Sequence, residues 1–520
     1  MLLKRSLNYR YEIVLAIFVA VFIIYSSFGI TNPWGNEDVG FSAKEKAHYA
    51  INYLKFGYIE TGLGQKLFEG YSIDTYNQRY SYYVHHPMLI SLMVSASFLV
   101  FGINEWALRL VPISINIGIL IFLFLFVKTY WNKKIAVLAS FFAVFFPTFF
   151  FNRHLPAFEV LSLFFICVIL YIYAKWLKTN DKRYFYLIFI SFAIGTLSDW
   201  QTYFVIPPIL IHYFIFVNKR NKERKLLYLI PFAFLTFGLY ILYVFLLSGD
   251  TGGTGMGGDL WGALLLRTNM NESAWICNIT IPMIINRIIH DISIFYTPMF
   301  LFIPVIFVVI LIYKIIKKAN SEKYALPFLL FLFYMGYLFI FSHGYLASEF
   351  LILFLIPPMA IFTPIIIKDL WLWSSRKLKR KNINKLRIAF SIALAIFAGF
   401  YLSFAYPMYN DFYRLNNLYL PLNTFLSENR DNIIVSFIED STFYQLRAYL
   451  DMRIVREIAT NEELIKLLEG DIEFGYFFVK KDQAIDDNLW SYLTDNFPNT
   501  EMYNIDAEHY IIFDMKNKKI

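Results

Sequence analysis

Cysteine is almost absent: in 520 residues there are two, Cys167 inside an apolar run and Cys277 in a loop. Two cysteines so placed give neither a disulfide framework nor metal-site spacing, which sets redox chemistry aside. Charge is also scarce, at 17% Asp, Glu, Lys and Arg, against 58% hydrophobic residues and a mean hydropathy of +0.50. That much apolar surface exceeds what a single water-soluble core of this length can hide, which excludes a soluble globule. No repeat with a period of 20 to 50 residues is visible, which argues against a solenoid. Six glycines fall between Gly249 and Gly258 in GDTGGTGMGGD, but the GK[ST] ending of a phosphate loop is missing. A flexible lid or linker is the better reading of that stretch.

What is present is a series of apolar runs long enough to cross about 30 Å of hydrocarbon as helices. They lie near 13–30, 107–127, 135–151, 159–174, 185–198, 203–217, 226–247, 296–313, 325–342, 350–367 and 388–405. The sequence therefore predicts a polytopic α-helical membrane protein with about eleven transmembrane helices. The first run follows Lys4, Arg5 and Arg10 and has no small-residue cleavage site, so it reads as a retained anchor. Past Tyr406 the composition becomes that of a soluble domain. Alternating strand and helix patterns over 431–515 predict a small α/β domain around a mostly parallel sheet. The predicted organisation is a membrane domain over 1–405, with outer loops at 31–106 and 248–295, and an extracytoplasmic α/β domain over 406–520.

Sidedness follows from the basic residues. Lysines and arginines number three in 128–134, four in 175–183, five in 218–225, four in 314–323 and eight in 368–387. The alternate loops, 31–86, 152–158, 199–202, 248–295 and 343–349, hold eight between them. Positive-inside orientation places the five clusters and the N-terminus in the cytoplasm and the alternate loops outside; the membrane expected to hold the protein is the plasma membrane. The net charge of +8 is thus a matter of topology and does not point to nucleic acid. The run 88–101 conflicts with this scheme, because a crossing there would export every cluster. Fourteen residues make about 21 Å of helix, too short to cross, so a re-entrant or juxtamembrane helix on the outer side is predicted.

The outer loops collect the ionisable residues. Glu37 and Asp38 follow the first run, and their bland reading is a solvated helix-end pair. Adjacent residues on a regular element do not face one cavity, so one is expected to be chemical and the other supporting. Tyr83, His85 and His86 precede Pro87, which favours an extended approach to the next helix. Arg153, His154 and Glu159 lie between the third and fourth runs; Asp199 and Trp200 follow the fifth; His343, Tyr345 and Glu349 follow the ninth. Trp200 and Tyr345 also suit an aromatic belt. Ionisable groups at membrane depth are costly and tend to line a cavity, and here all sit toward the outer side, whereas a proton or ion carrier would show them near the midplane. Arg267, Arg287 and His290 occupy the 248–295 loop, with N-glycosylation sequons at Asn271-Glu272-Ser273 and Asn278-Ile279-Thr280.

In order and spacing, WGNEDVGF from Trp34, then YAINYLKFG, then YYVHHPMLISLMVSASFLVFGINEWALRLVPI resemble the first outer loop of the GT-C glycosyltransferases. These polytopic enzymes depend on lipid-phosphate sugars and include protein O-mannosyltransferases and lipid A aminoarabinose transferases. The resemblance covers roughly 12–365 and is strongest over 34–112. It implies a GT-C fold, juxtamembrane helices in the first outer loop, and a donor sugar carried on dolichyl or undecaprenyl phosphate. The acceptor it implies is a protein, lipid or glycan. By position, Glu37 and Asp38 correspond to the family's acidic pair, with Asp38 as general base, and Glu159 to a second outer carboxylate. His86, Asp199 and His343 stand where the aminoarabinose transferases carry lysines, and these are departures.

Transfer requires a carboxylate to accept the acceptor's hydroxyl proton and cations to stabilise the departing lipid phosphate. The first role falls to Asp38, supported by Glu37 or Glu159. The second falls to His85, His86, Arg153, Arg267 and His343, with Tyr83, Asp199 and Tyr345 lining the cavity. Single in-line attack implies inversion. A divalent cation is compatible with His86 and Glu159, although no ligand spacing requires one. A lipid-sugar flippase or other transporter, a ligase of whole lipid-linked glycans, and a non-catalytic membrane scaffold are the competing readings.

Overall fold

The computed structural model describes residues 2–31, 38–66, 82–217, 223–248, 279–317 and 321–377, together with single positions within 264–268 and 385–401. In the C-terminal part it describes 434–436, 455–457, 476–480, 487–503 and 509–516. Helices α1 (Leu2–Ser27) and α2 (Asp38–Phe56) are followed by the short strands β1 (Gln65–Lys66) and β2 (Tyr82–Tyr83). Next come α3 (Leu89–Phe101), α4 (Glu105–Tyr130), α5 (Lys133–Phe145), α6 (Pro147–Phe151), α7 (Phe158–Thr179) and α8 (Lys182–Thr196). They are followed by α9 (Ile206–Ile211), α10 (Leu229–Ser248), α11 (Ile281–Phe295), α12 (Ile303–Ile316), α13 (Glu322–Ile340), α14 (Ser342–Ala347) and α15 (Ile356–Lys377).

Among the described residues seven helices are long and apolar enough to cross a membrane, and the pair α5–α6, bent by 60°, makes a possible eighth. Two of the eleven expected runs differ. The 185–198 run is the 15-residue α8. The 203–217 run is a composite of a 3-10 turn (Trp200–Val205), α9 and a π turn (His212–Phe216), because Pro207 and Pro208 withhold two backbone donors from any continuous helix. The 388–405 run is described only in part, with helical positions at 389, 391–392, 394–399 and 401.

The chain divides into two compact units, one of Met1–Ile30, Val84–Ile90 and Arg109–Pro407, the other of Thr31–Tyr83, Ser91–Leu108 and Met408–Ile520. In the first, Ile356, Met359, Ala360, Ile361 and Phe362 of α15 are buried, as are Leu161, Ile166, Ile169 and Leu170 of α7. Four of its helices start the same way. A 3-10 turn leads into an Ile-Pro step in the first helical turn at Ile206-Pro207, Ile230-Pro231, Ile303-Pro304 and Ile356-Pro357. Proline suits the first turn, where its missing donor has no helical partner, and it disfavours helical geometry in the residue before it.

Polar contacts fix which helix ends share a face. Glu12 on α1 pairs with Lys128 at 2.8 Å and Lys133 at 3.1 Å. His212 is held by Tyr130 and Tyr173, each hydroxyl 2.7 Å from a ring nitrogen, beside the Glu322 carbonyl at 3.1 Å. Lys314 pairs with Asp369 at 3.4 Å, and Tyr324 donates to the same carboxylate at 2.7 Å. These contacts gather the helix ends that carry the basic clusters onto one face. At the other end of α1 and α4, Arg109 Nη1 donates to the carbonyls of Gly29 (3.1 Å) and Ile30 (2.9 Å). The end of α1 and the start of α4 therefore meet, and α3, with 13 residues, is shorter than the helices long enough to cross a membrane.

In the second unit, Tyr49 of α2 stacks on Tyr83 at 5.6 Å and donates to Glu45 Oε1 at 2.8 Å, while Lys46 pairs with Glu45. The C-terminal part forms a five-stranded sheet ordered β4-β3-β5-β7-β6, with β3 at Ile434–Ser436, β4 at Val455–Glu457, β5 at Tyr476–Lys480, β6 at Asn499–Tyr503 and β7 at His509–Asp514. Strands β3, β4 and β5 run parallel, but β7 is antiparallel to both β5 and β6, so the sheet is mixed where a mostly parallel one is expected. Strand β6 has no counterpart in the sequence reading. Helix α16 (Asp487–Asn496) buries Leu489 and Leu493 against Phe477, Val479, Ile511 and Phe513.

Candidate active site

The chain bends at His85 and His86, where Pro87 disfavours helical geometry in His86, and three contacts pin that strip of backbone. Tyr240 donates to the Val84 carbonyl (2.8 Å), the Trp200 indole to the His85 carbonyl (2.8 Å), and the Leu89 amide to the Leu197 carbonyl (3.3 Å). The partner strip, 197–202, is held close to α8 by Gly195. A Cβ there would lie 2.8 Å from the Thr202 methyl and 2.9 Å from Phe165 Cβ. Thr202 donates to the Gly195 carbonyl at 2.9 Å.

These two strips bring His86 and Asp199 together. His86 Nδ1 lies 2.8 Å from Asp199 Oδ1, which also caps the following 3-10 turn by accepting from the Trp200 amide at 2.7 Å. The imidazole stacks on Phe158 at the start of α7, with centroids 4.6 Å apart and planes 9° from parallel. On its far edge, Arg267 Nη2 approaches His86 Nε2 at 2.7 Å. A guanidinium only donates, so Nε2 accepts, and the proton of a neutral ring resides on Nδ1, facing Asp199. Asp199, His86 and Arg267 thus form a relay carrying charges −1, 0 and +1, and its balance lowers the cost of burial. His86 is expected from sequence to be a cation; here it is the neutral bracket that holds one. With both ring nitrogens so engaged and a guanidinium alongside, His86 does not fit a cation-binding pair with Glu159. Among the described residues no group of three or more His, Cys, Asp or Glu side chains is arranged to hold a metal.

The stem of Arg267 rests on Gly344 in α14, where a Cβ would lie 3.5 Å from Arg267 Cγ. Beside Gly344, Tyr345 donates to Asp291 Oδ2 at 2.8 Å. The fully buried Asp291 also takes Arg287 Nε at 2.9 Å and lies 3.1 Å from His290 Nδ1. Asp291 is not among the residues expected from sequence. Its signal is there, since Ile284, Ile288, Asp291 and Phe295 form one helical stripe, and a carboxylate among apolar neighbours needs a partner.

Half-buried Glu159 sits in the first turn of α7, and together with Asp199 and Arg267 it acts electrostatically on Tyr337, whose hydroxyl accepts from Gln201 at 3.0 Å. Arg153 is placed differently. It is wholly buried, donates to the Phe150 carbonyl at 2.8 Å and lies 4.0 Å over the Phe150 ring. Its neighbour His154 contacts the Ser26 carbonyl at 2.7 Å. Both belong to the packing of the α6 turn against α1. Burial pushes the His343 imidazole below its ordinary pKa, so it favours the neutral form and is a poor fixed cation. His85 is half-buried and offers its carbonyl to Trp200. Asp38 opens α2, but its side chain lies outside the described residues, as do Glu37 and the sequons' asparagines.

The described helices thus form a membrane-type bundle whose His86, Asp199 and Arg267 lie at the end opposite the basic clusters. Residues 85–247 match the family described as dolichyl-phosphate-mannose-protein mannosyltransferase. The fold resembles ArnT from Cupriavidus metallidurans bound to undecaprenyl phosphate, with a TM-score of 0.61 and 10% identity over 96% of this chain and 97% of that one. It also resembles the Archaeoglobus fulgidus oligosaccharyltransferase AglB in complex with an inhibitory peptide and a dolichol-phosphate, with a TM-score of 0.57 and 14% identity over 91% of this chain and 69% of that one. Its apo form gives a TM-score of 0.55 and 13% identity, over 91% of this chain and 70% of that one. No curated protein matches by sequence. The family match covers 85–247, and the chain as a whole shares the fold of these two membrane proteins.

Proposed function

We propose that this protein transfers a sugar from a dolichyl or undecaprenyl phosphate to a protein, lipid or glycan acceptor at the outer face of the plasma membrane. The N-terminus then faces the cytoplasm, and the first outer loop and residues 406–520 face outward. The observation that carries the reading is Arg267, docked on the His86–Asp199 pair at the end of the bundle opposite the basic clusters. Among the described residues its Nη1 and Nε have no hydrogen-bond partner, which leaves donors for the departing lipid phosphate. The lipid phosphates bound by the two similar structures support the same donor class.

Asp38, supported by Glu37 or Glu159, takes the acceptor's hydroxyl proton as that oxygen attacks the anomeric carbon. The bond from that carbon to the phosphate oxygen breaks with inversion, and the electron pair leaves on the phosphate, beside Arg267. The test is to incubate the purified full-length protein with a panel of polyprenyl-phosphate sugars and identify the one consumed. Transport of an intact lipid-linked sugar across vesicles, with no donor consumed, would replace this reading by a flippase.

A further inference from the structure

The relay contains one group whose charge can change near neutral pH, and its geometry shows when that change is allowed. His86 Nε2 accepts from Arg267 Nη2 at 2.7 Å, so while that contact persists the ring has no room for a second proton. Its other nitrogen faces Asp199 at 2.8 Å, and that carboxylate favours an imidazolium once Nε2 is released. Among the described residues, the groups shown in contact with the ring are Asp199 from the 197–202 strip, Arg267 from the 248–295 loop, and Phe158 at the start of α7, next in sequence to Glu159. His85 and Pro87 adjoin it in the chain. Among these contacts one carboxylate stands against one guanidinium across the imidazole. An anionic phosphate entering this setting meets no surplus of positive charge.

We infer that His86 takes up one proton from solvent when a lipid phosphodiester engages Arg267, so that phosphate binding and His86 protonation are a single coupled event. The phosphodiester draws the guanidinium donor away from Nε2, the Nε2 lone pair accepts a proton, and the relay changes from a net charge of 0 to +1 against the ligand's −1. The released Nε2–H then points where the guanidinium was and donates to the same phosphate. A fixed cation in this place would bind the anion without reference to pH; histidine makes binding proton-dependent. The inference rests on the donor class proposed above and assigns His86 a proton-linked positioning role within it.

The test uses the purified full-length protein in detergent and the methyl ester of undecaprenyl phosphate, a diester whose single charge is constant between about pH 5.5 and 8.5. Calorimetric titration in two buffers of different ionisation enthalpy counts the protons taken up. The expected result is uptake approaching one proton, with affinity falling toward about tenfold per pH unit on the alkaline side of the imidazole's titration. His86→Gln keeps an acceptor for Arg267 and should bind more weakly, with no pH dependence. His86→Lys should bind at all pH values with no proton uptake. Wild-type binding that is flat with pH and takes up no proton overturns the inference and leaves the donor class standing, as does a pH dependence that survives in His86→Gln. Failure of the wild type to bind the diester at any pH overturns the donor class, and the inference with it.

Discussion

Arg109 Nη1 donates to the Ile30 carbonyl at 2.9 Å, tying the start of the second long membrane helix to the end of the first. Because Glu12 and Lys128 meet at the opposite ends of the same two helices, α1 and α4 are antiparallel, and whatever lies between them returns to the face it left. Topology reporters inserted after Ile59 and after Asn104 should therefore report the same side, and one after Trp131 the other. A reporter pair showing Ile59 and Asn104 on opposite sides would mean that α3 crosses. Arg109→Leu removes a buried, charge-assisted donor, and a loss on the order of 2 to 4 kcal/mol should appear as a lower unfolding temperature in detergent.

Arg267 is the guanidinium the relay is built to hold. Arg267→Ala should lower transfer by about 10²- to 10³-fold, as expected when a preorganised donor at developing charge is removed. Arg267→Lys should recover only part of this, since a point charge does not reproduce the guanidinium fork. Equal rates for the three proteins in a radiolabelled-sugar assay would take Arg267 out of the mechanism.

Asp38 at the head of α2 is proposed as the base. Asp38→Asn should reduce turnover by about 10²- to 10⁴-fold while leaving polyprenyl-phosphate affinity near its wild-type value. A variant that loses affinity and turnover together would assign Asp38 to donor binding.

Gly195 lets the Asp199 strip lie against α8. Gly195→Ala forces a Cβ to within 2.9 Å of Phe165 Cβ, so the strip must shift. We expect about 1 to 3 kcal/mol of destabilisation from overpacking, with a loss of transfer exceeding what the folded fraction explains.

His343 is buried, with its pKa below the ordinary value. Around and below the unfolded imidazole's pKa of about 6.5 the unfolded chain binds more protons than the native one, so stability rises with pH and falls on acidification from neutral. His343→Gln should flatten that part of the stability profile between about pH 7 and 5, measured by thermal unfolding. A profile unchanged by the substitution would assign the acid sensitivity to other groups.

Periodicity and charge placement, read without coordinates, reach the membrane bundle, its basic face, the grouping of ionisable residues away from that face and the short helix 88–101. Each of these follows from composition summed over many residues, because hydrocarbon imposes length and polarity limits that any spanning segment must meet. The GT-C resemblance is likewise carried by order along the chain. The roles within the relay depend instead on pairs far apart in sequence. His86 and Asp199 are 113 residues apart, and His86 and Arg267 are 181 apart. A histidine alone reads as a prospective cation. Only the position of Arg267, which can donate and cannot accept, makes that histidine neutral and moves the positive charge onto the guanidinium. Similarly, Arg153 reads as a phosphate ligand until packing turns it onto Phe150, and Asp291 goes unnoticed until Tyr345 meets it. Sequence determined the solvent each segment inhabits, since that is a sum over side chains; tertiary structure decided the protonation and partner of each charged group, since those depend on geometry at the scale of one hydrogen bond.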